Sequence, residues 1–287
     1  MSEEKFFDCI FNKFPNKEVS YHDCIDIKNQ FVPEKLYKYT RAKYAEELLI
    51  ENLIYLPTIK ELNDPYEARL FLNNERLKKE IYKNIDLNKF PKEMADEVIQ
   101  DSSNKLSDEI NTEISQDYSV ICLSKDNCIN PLWGNYADKY QGICLEYNLK
   151  DTEKTYLKDF CFPIKYVERE EDFEQIKSNE SFAYNNIFFE PLLKKSFDWN
   201  YEKEWRVIIY KPDFQNMIEK KRKNCKIKEY LKFIEPTKVY LGLKIEESHE
   251  NKILRICKDK GIDVCKMKID NTNYNFKYEY KYKNNEQ

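Results

Sequence analysis

The chain has 287 residues, 41% of them apolar and 15% aromatic, which is enough to bury a sizeable core in one large domain or two small ones. The 48 Lys and Arg residues nearly balance the 52 Asp and Glu residues, and the net charge of -4 argues against a dedicated nucleic-acid-binding protein, although a local basic patch is compatible with it. No run approaches the roughly 18 to 20 apolar residues of a membrane span, and the acidic start lacks the layout of a signal peptide, so we expect a cytoplasmic protein that contacts no membrane.

Residue types that commonly hold metals or phosphates are scarce. His22 and His249 are the two histidines, and the nine cysteines show no Cys-x-x-Cys spacing, so we expect no metal site and reduced thiols that lie mostly in the core. The four glycines, at positions 134, 142, 242 and 261, exclude a Gly-x-Gly-x-x-Gly or Walker loop. A bound nucleotide would therefore be held by residues other than a glycine-rich phosphate-binding loop.

The first half of the chain predicts a strand, a helix and a second strand, followed by a polar turn. An aromatic run at residues 35–39 precedes Thr40, a candidate N-cap for a helix over residues 41–52, and residues 53–56 are typical of a strand. The sequence Asn63-Asp64-Pro65 favours a turn. Apolar residues at mixed spacings of three and four predict two or three helices over residues 68–117, which we interpret as a helical insert.

The second half alternates strands with helices. Strands are predicted at 119–124, 142–147, 162–167, 204–210, 238–244, 262–269 and 274–282, and helices at 131–137, 172–195, 214–233 and 248–260. Gly261 is expected to end the last helix, and the alternating aromatic residues of the last strand are expected on one face. These elements predict a single α+β domain over residues 1–287, with mixed, mostly antiparallel sheets and the insert at 68–117.

One cluster of charge lies near the start of the strand at 204–210. Because side chains alternate along a strand, Glu202, Glu204 and Arg206 are expected to share one face. They would then form either a neutralised surface group or a catalytic Glu-x-Glu pair of the kind that acts on a sugar-like cationic centre.

Other polar and aromatic residues have two interpretations each. Asp64 and Glu67 are expected either to cap a turn or to contact a ligand or metal. Trp133 and Tyr136 would lie on one side of a short helix, where they would either pack in the core or stack against a base or nicotinamide ring. The run of basic residues at 220–223, continued by Lys226 and Lys228, predicts a solvated helix end, with a phosphate or nucleic-acid patch as the alternative.

Taken together, these segments resemble the bacterial domain-of-unknown-function 2971 family. The resemblance rests, in chain order, on residues 36–39, the sequence Asn63-Asp64-Pro65-Tyr66-Glu67, Ser124, residues 132–138 with Gly142, and residues 201–206. It spans most of residues 35–245. Tyr140 is a departure, since we expect histidine there in much of the family.

The order of elements in that family is similar to the ADP-ribosyltransferase pattern, which implies a split sheet and NAD as substrate without a metal. By this resemblance Lys38, either Ser124 or Tyr136, and Glu204 stand at the three signature positions, and Glu202 completes the Glu-x-Glu. Lys38 departs from the Arg or His usual at the first position, because a lysine offers no planar bidentate fork.

The resemblance also implies roles. Tyr136 or Trp133 would stack on the nicotinamide, Ser124 would hold the ribose strand, and Glu204 would accept the ribose 2′-OH. Glu202 would position or deprotonate the acceptor, which would be a protein side chain, a nucleic-acid base or water. Arg206 belongs to the same expected catalytic group. The remaining expected NAD-binding residues are Tyr39, Asn63, Asp64 and Glu67.

Two other functions fit the same residues. One is a module that binds a nucleotide or peptide without turnover, and the other is a nuclease in which Asp64, Glu67, Glu202 and Glu204 converge on Mg²⁺. A transferase of this kind would suit a toxin or a phage-defence protein. The oligomeric state and the acceptor are left open by the sequence.

Overall fold

A computed structural model describes residues 2–70, 78, 82, 91–149, 156–168, 183–223 and 225–284. The α-helices are α1 Glu3–Asp8, α2 Tyr21–Asn29, α3 Ala45–Leu49, α4 Lys92–Asp117, α5 Asn130–Asn135, α6 Tyr156–Asp159, α7 Ala183–Leu193 and α8 Glu247–Lys260. The strands are β1 Lys35–Thr40, β2 Leu53–Tyr55, β3 Tyr118–Ser124, β4 Ile143–Asn148, β5 Cys161–Pro163, β6 Lys165–Val167, β7 Lys194–Ser196, β8 Glu204–Tyr210, β9 Ile218–Lys223, β10 Lys226–Lys232, β11 Lys238–Leu241, β12 Asp263–Ile269 and β13 Phe276–Tyr282. Helices and mostly antiparallel strands together confirm the α+β class.

The chain divides into two compact units. The first comprises residues 1–27, 58–118 and 165–199, and the second comprises residues 28–57, 119–164 and 200–287. The first unit holds α1, most of α2, α4, α7 and the parallel pair β6–β7. Backbone and side-chain hydrogen bonds of Leu70 to Asn111 and Ser107 fasten the residues after the polar turn to α4.

A disulfide joins Cys9 and Cys24 in the first unit, with the two Cα atoms 5.6 Å apart. The expectation of reduced cysteines is therefore wrong for this pair. The separation of 15 residues between the two cysteines did not indicate a disulfide, because their contact depends on how the turn after α1 packs against α2. Other thiols do lie in the core, and burial raises the pKa of Cys161 to about 12.

The second unit is built on an eight-stranded sheet in the order β13-β12-β11-β4-β1-β3-β8-β5. Strands β11 and β12 pair in parallel and are connected by α8, whereas β1–β3, β1–β4, β4–β11, β5–β8 and β12–β13 are antiparallel. Gly261 ends α8 with φ of +69°, as expected for a left-handed C-cap.

The two faces of this sheet differ in character. Ile121, Leu145, Trp205 and Val207 point to one face, where the main apolar cluster also takes in Ile253 of α8. We call this the apolar face. Residues that alternate with these point to the other side, the mixed face, which carries both polar and aromatic side chains.

The predicted helix over residues 214–233 is wrong. Residues 218–223 and 226–232 form the antiparallel hairpin β9–β10, which pairs through β10 with β2. The turn contains Cys225 with φ of +61°, a conformation that is uncommon for residues other than glycine and that the sequence did not indicate. The basic run therefore does not end a helix, and the helix dipole cannot explain its charges.

Several predicted boundaries also change. The helix expected over 41–52 is a 3₁₀ turn at Ala42–Tyr44 followed by α3, and the strand expected over 162–167 is divided into β5 and β6. Of the predicted insert, residues 92–117 form one long helix, and residues 71–77, 79–81 and 83–90 lie outside the described residues. The helix predicted over 172–195 is seen as α7, and residues 172–182 likewise lie outside the described part.

The aromatic residues of β13 do not all share one face, because Tyr282 points away from the side that Phe276, Tyr278 and Tyr280 share. Phe276 packs against a second apolar cluster on the mixed face, whereas Tyr282 packs against the main cluster on the apolar face. A β-bulge opposite Val264 and Cys265 shifts the register of β13 and so reverses the alternation beyond it.

Candidate functional site

Glu202 is not part of a strand. It ends the 3₁₀ turn Phe197–Glu202, and Lys203 follows with φ of +48° before β8 begins at Glu204. The N–H of Lys203 donates to the carbonyl of Asn200 at 3.2 Å, and its carbonyl accepts from the N–H of Lys125 at 3.1 Å. This left-handed residue breaks the alternation on which the expectation of a shared face for Glu202 and Glu204 depended.

The side chain of Glu202 is paired with Tyr136. The hydroxyl of Tyr136 donates to Oε1 of Glu202 at 2.7 Å, and Glu202 is only 5% exposed, whereas Tyr136 is partly exposed. The hydroxyl of Ser124 donates to the backbone carbonyl of Glu202, also at 2.7 Å. Three of the expected site residues, from β3, the end of α5 and the 3₁₀ turn, thus meet within the second unit.

Two further residues support this group. The N–H of Asp126 donates to the hydroxyl of Ser124 at 3.3 Å, and the ammonium group of Lys203 lies 2.9 Å from the Asp126 carboxylate. Neither Asp126 nor Lys203 was singled out from the sequence. Their signal is weak, because a lysine beside two glutamates and an aspartate after a strand are ordinary surface patterns.

Glu204 and Arg206 form a buried ion pair on the mixed face. Nε and Nη2 of Arg206 donate to the two carboxylate oxygens of Glu204 at 2.7 and 3.1 Å. Arg206 is 0% exposed and Glu204 is 3% exposed. Such a bidentate fork is among the stronger charge-assisted contacts. Both carboxylate oxygens of Glu204 therefore accept hydrogen bonds from a neighbouring strand residue.

Lys38 lies on the opposite face from Ser124 and Glu204. Tyr37 and Ser124 are cross-strand partners and so share the mixed face, which turns Lys38 to the apolar face beside its partner Leu145. Its ammonium group donates to the carbonyl of Cys122 at 3.2 Å. The three signature positions are not brought together on one face of the sheet.

Tyr39 and Trp133 pack against each other. Their rings meet edge to face at 5.3 Å, Trp133 is 1% exposed, and its indole N–H donates to the carbonyl of Asn127 at 2.8 Å. The Tyr39 hydroxyl donates to the carbonyl of Asp126 and accepts from the N–H of Ile129. Burial raises the pKa of Tyr39 far above its ordinary value. This arrangement favours the core-packing interpretation of Trp133, and Tyr39, an expected NAD-binding residue, packs with it.

A left-handed turn follows Tyr136. Asp138, Lys139 and Tyr140 have φ of +50°, +54° and +72°, although none is glycine. A Cβ on Gly142 would lie 2.2 Å from the carbonyl oxygen of Thr40, and one on Gly242 would lie 2.2 Å from that of Tyr140. Left-handed non-glycine residues cost about 1–2 kcal/mol each, so the surrounding structure holds this turn in a strained conformation. Two of the four glycines in the chain lie here, which is the signal that sequence reasoning missed.

A buried acid also went unnoticed in the sequence. Glu146 on β4 is 3% exposed and accepts from the hydroxyls of Tyr240 at 2.8 Å and Thr237 at 3.1 Å, with Lys35 at 3.2 Å. Burial, followed by the charge of Glu146, raises the pKa of Tyr240 and of Tyr37. These partners of Glu146 all belong to the second unit, which favours a structural role for its carboxylate.

The remaining expected residues, Asn63, Asp64 and Glu67, belong to the first unit. Oδ1 of Asp64 accepts from the N–H of Tyr66 at 2.9 Å, and its carbonyl accepts from the N–H of Glu67 at 3.1 Å, so Asp64 does cap a turn. Glu67 is 5% exposed and lies 3.5 Å from the ammonium group of Lys195, and Asn63 is exposed.

No group of three or more His, Cys, Asp or Glu side chains is arranged to hold a metal ion in the part of the chain that the structure describes. Within the same described ranges, no helix is both long and apolar enough to cross a bilayer.

The sequence model of the family described as "Protein of unknown function (DUF2971)" matches residues 132–207. The match takes in Trp133, Tyr136, Glu202, Glu204 and Arg206, and it supports the resemblance to that family over this stretch. No curated protein and no solved structure matches the chain.

Proposed function

We propose that the chain is an ADP-ribosyltransferase-like enzyme that uses NAD as its substrate, with Glu202 and Tyr136 at the centre of the site. The observation that carries the proposal is the hydrogen bond from the Tyr136 hydroxyl to the Glu202 carboxylate. The ring of Tyr136 is itself partly exposed. An acid beside an aromatic ring is the combination that a nicotinamide riboside requires, because the ring stacks and the carboxylate accepts from a sugar hydroxyl.

The proposal assigns to Glu202 the role that the family resemblance gave to Glu204. Both oxygens of Glu204 accept from Arg206, so this carboxylate is committed to an ion pair. Glu202 has its backbone carbonyl fixed by Ser124, and the left-handed Lys203 sets its direction apart from β8. Glu204 and Arg206 are then positioning residues that stabilise the start of β8.

In the proposed reaction, the bond between the nicotinamide nitrogen and C1′ of the ribose breaks, and its electron pair leaves with nicotinamide. The sugar cation that remains is stabilised by the hydrogen bond between its 2′-OH and Glu202. An acceptor nucleophile, on a protein or a nucleic acid, forms the new bond to C1′ and loses its proton to solvent or to a carboxylate. Such an activity would suit a toxin or a phage-defence protein.

The test is NAD consumption by the purified chain in the presence of EDTA, with cell lysate as the source of acceptors. Wild type is expected to release nicotinamide, and Glu202→Gln is expected to lose most of that turnover while remaining folded. Turnover that survives in Glu202→Gln, or no turnover with any lysate, contradicts the proposal.

A second candidate is a module that binds a nucleotide or peptide at the same pair of residues without turnover. The position of Lys38 on the apolar face favours it, because the first anchor of the transferase pattern then lies away from Glu202 and Ser124. Saturable NAD binding without nicotinamide release would select this candidate.

A further inference from the structure

Strand β13 ends the strand order of the eight-stranded sheet, so one of its sides has no neighbouring strand in the part of the chain that the structure describes. An edge strand presents backbone N–H and C=O groups with which another strand can pair. Tyr278 and Tyr280 on this strand are 43% and 45% exposed. The outer side of β13 is therefore a candidate surface for the addition of a strand.

A hydrogen bond at the turn between β12 and β13 shows which backbone groups of β13 face outward. The N–H of Asp270 donates to the carbonyl of Asn275 at 3.2 Å. Hydrogen-bonded residues alternate along an antiparallel strand, so every second residue counted from Asn275 bonds to β12. The residues between these, which include Tyr278 and Tyr280, direct their N–H and C=O groups away from the sheet.

The outer side of β13 is regular from Phe276 to Tyr280. The β-bulge opposite Val264 and Cys265 lies beyond Tyr280 and leaves this stretch in one register. At the other end, the thiol of Cys128 lies 3.9 Å from the carbonyl oxygen of Phe276, and that oxygen has a second lone pair for another donor. The regular stretch is long enough for a short antiparallel pairing.

The order of charges along β13 suits pairing of the strand with itself. Lys277 and Glu279 stand on either side of Tyr278. When two copies of β13 run antiparallel with Tyr278 opposite its counterpart, Lys277 of each copy faces Glu279 of the other. These are the positions without cross-strand hydrogen bonds, where the side chains of two antiparallel strands come closest. The two-fold axis therefore creates two pairs of opposite charge.

The two adjacent registers place like charges opposite each other. With Tyr278 opposite Tyr280, Glu279 faces its own counterpart. With Tyr280 opposite its counterpart, Lys277 faces Lys283, and the pairing runs into the β-bulge. Like charges directly opposite each other destabilise a strand pair. Charge thus selects the register centred on Tyr278.

The strands β9 and β5, which also lie at sheet edges, lack this combination of features. Four of the six residues of β9 are Lys or Arg, so two copies of that strand would repel each other. Strand β5 is buried along its whole length. Strand β13 has outward-facing backbone groups, exposed aromatic rings and self-complementary charges.

We propose that β13 binds a second copy of this chain, in an antiparallel β13–β13 pair centred on Tyr278 that joins two eight-stranded sheets across a two-fold axis. Each Tyr278 exchanges backbone hydrogen bonds with its counterpart, and the ring of Tyr280 packs against Phe276 of the other copy on the mixed face. One strand pair buries less area than a standard interface, so the dimer is weak, with a Kd on the order of 10 µM. The Tyr136–Glu202 pair takes no part in this interface.

An exchange of the two charges tests the register. In a dimer of Lys277→Glu, carboxylates face each other at both pairs, and in a dimer of Glu279→Lys, ammonium groups do. Each variant alone is therefore expected to dimerise at least tenfold more weakly than wild type. An equimolar mixture of the two variants restores both oppositely charged pairs, and its association is expected to return to within about threefold of wild type.

Sedimentation equilibrium measures the association of the full chain, from a monomer of 34.9 kDa to twice that mass. Protein concentrations from tenfold below to tenfold above the expected Kd cover the transition. The exposed ion pairs that the two charge variants lose contribute about 0–1 kcal/mol each, so both variants should remain folded.

Two further variants are controls for charge and for backbone pairing. Lys281→Glu makes the same change of charge on the same strand, but position 281 faces the neutral Asn275 in this register, so dimerisation is expected within about threefold of wild type. Tyr278→Pro removes the outward-facing N–H at the centre of the pair. Proline is tolerated where the N–H of an edge strand faces solvent, so this variant is expected to be a folded monomer.

Several results would overturn the proposal. Wild type could remain a monomer at ten times the expected Kd, either charge variant could dimerise as tightly as wild type, or the mixture could associate no better than the variants alone. Dimerisation that survives Tyr278→Pro would show that another surface is used. None of these measurements involves NAD, so the dimer and the proposed NAD site stand or fall separately.

Discussion

The hydroxyl of Tyr136 lies 2.7 Å from the carboxylate of Glu202, although the two residues are 66 positions apart in the chain. The contact joins the end of α5 to the 3₁₀ turn before β8, and both partners fall within the stretch that matches the family. Left-handed residues follow both partners in the chain: Lys203 comes directly after Glu202, and residues 138–140 come shortly after Tyr136.

Replacing Tyr136 with phenylalanine removes this hydrogen bond and keeps the ring. A hydrogen bond to a buried charge is worth about 1.5–3 kcal/mol, so we expect the free energy of unfolding in urea to fall by that amount. Tyr140→Phe is the control, because the Tyr140 hydroxyl donates to the neutral Asn130 at an exposed site, and its loss should be smaller. Equal losses in the two variants would mean that the Glu202 contact is not formed in solution.

The ion pair between Glu204 and Arg206 predicts strong destabilisation when one partner is lost. Arg206→Met leaves a buried carboxylate, and we expect the free energy of unfolding to fall by about 3–5 kcal/mol. In the double variant Glu204→Leu/Arg206→Met no charge remains, so most of the loss should be recovered. A loss below about 1 kcal/mol in Arg206→Met would contradict the buried pair.

Alanine substitutions of two glycines near the site are expected to change the free energy of unfolding in opposite directions. Gly142→Ala places a Cβ 2.2 Å from the backbone of Thr40, so we expect a loss of about 3 kcal/mol or failure to fold. The nearest atom to a Cβ on Gly134, in α5, is the Tyr140 hydroxyl at 3.8 Å, and Gly134→Ala should stabilise the helix by about 0.5–1 kcal/mol. Thermal and urea unfolding compare them directly; similar effects of the two substitutions would argue against the close approach of Gly142 to β1.

The buried ammonium group of Lys28 is expected to make the free energy of unfolding depend on pH. Burial lowers the pKa of its ammonium group to about 8, whereas the unfolded chain keeps the ordinary value of 10.5. Between these values the folded protein binds fewer protons than the unfolded chain, so the Lys28 contribution to the free energy of unfolding rises with pH, by at most about 1.4 kcal/mol per unit.

Comparison with Lys28→Met isolates this term, because the other titrating groups are common to both proteins. The stability of wild type minus that of the variant should increase from pH 7.5 to pH 10. Urea unfolding across this range measures it, and a constant difference would show that Lys28 is solvated. Its ammonium group donates to the carbonyls of Lys158 and Asp159, which is the contact that the substitution removes.

The α+β class and the strands of the large sheet were predictable because their apolar runs are long and end in clear turn signals. The hairpin β9–β10 was not, since its first strand is a run of charged residues without apolar alternation and its turn contains neither Gly nor Pro. Among the site residues, Ser124, Tyr136 and Glu202 could be singled out from the sequence. Their contacts could not, because the left-handed conformations of Lys203 and Tyr140 have no signature in those residue types.

Titration calorimetry measures the Kd of NAD for wild type, Glu202→Gln and Glu204→Gln, and it tests directly whether Glu202 binds NAD. We predict saturable binding to wild type and at least a tenfold higher Kd for Glu202→Gln, because the glutamine keeps an acceptor oxygen but lacks the charge that strengthens the hydrogen bond from a sugar hydroxyl. Glu204→Gln should lower the melting temperature instead. No binding of NAD to wild type, or equal affinity in wild type and Glu202→Gln, would contradict the assignment of Glu202 to the NAD site.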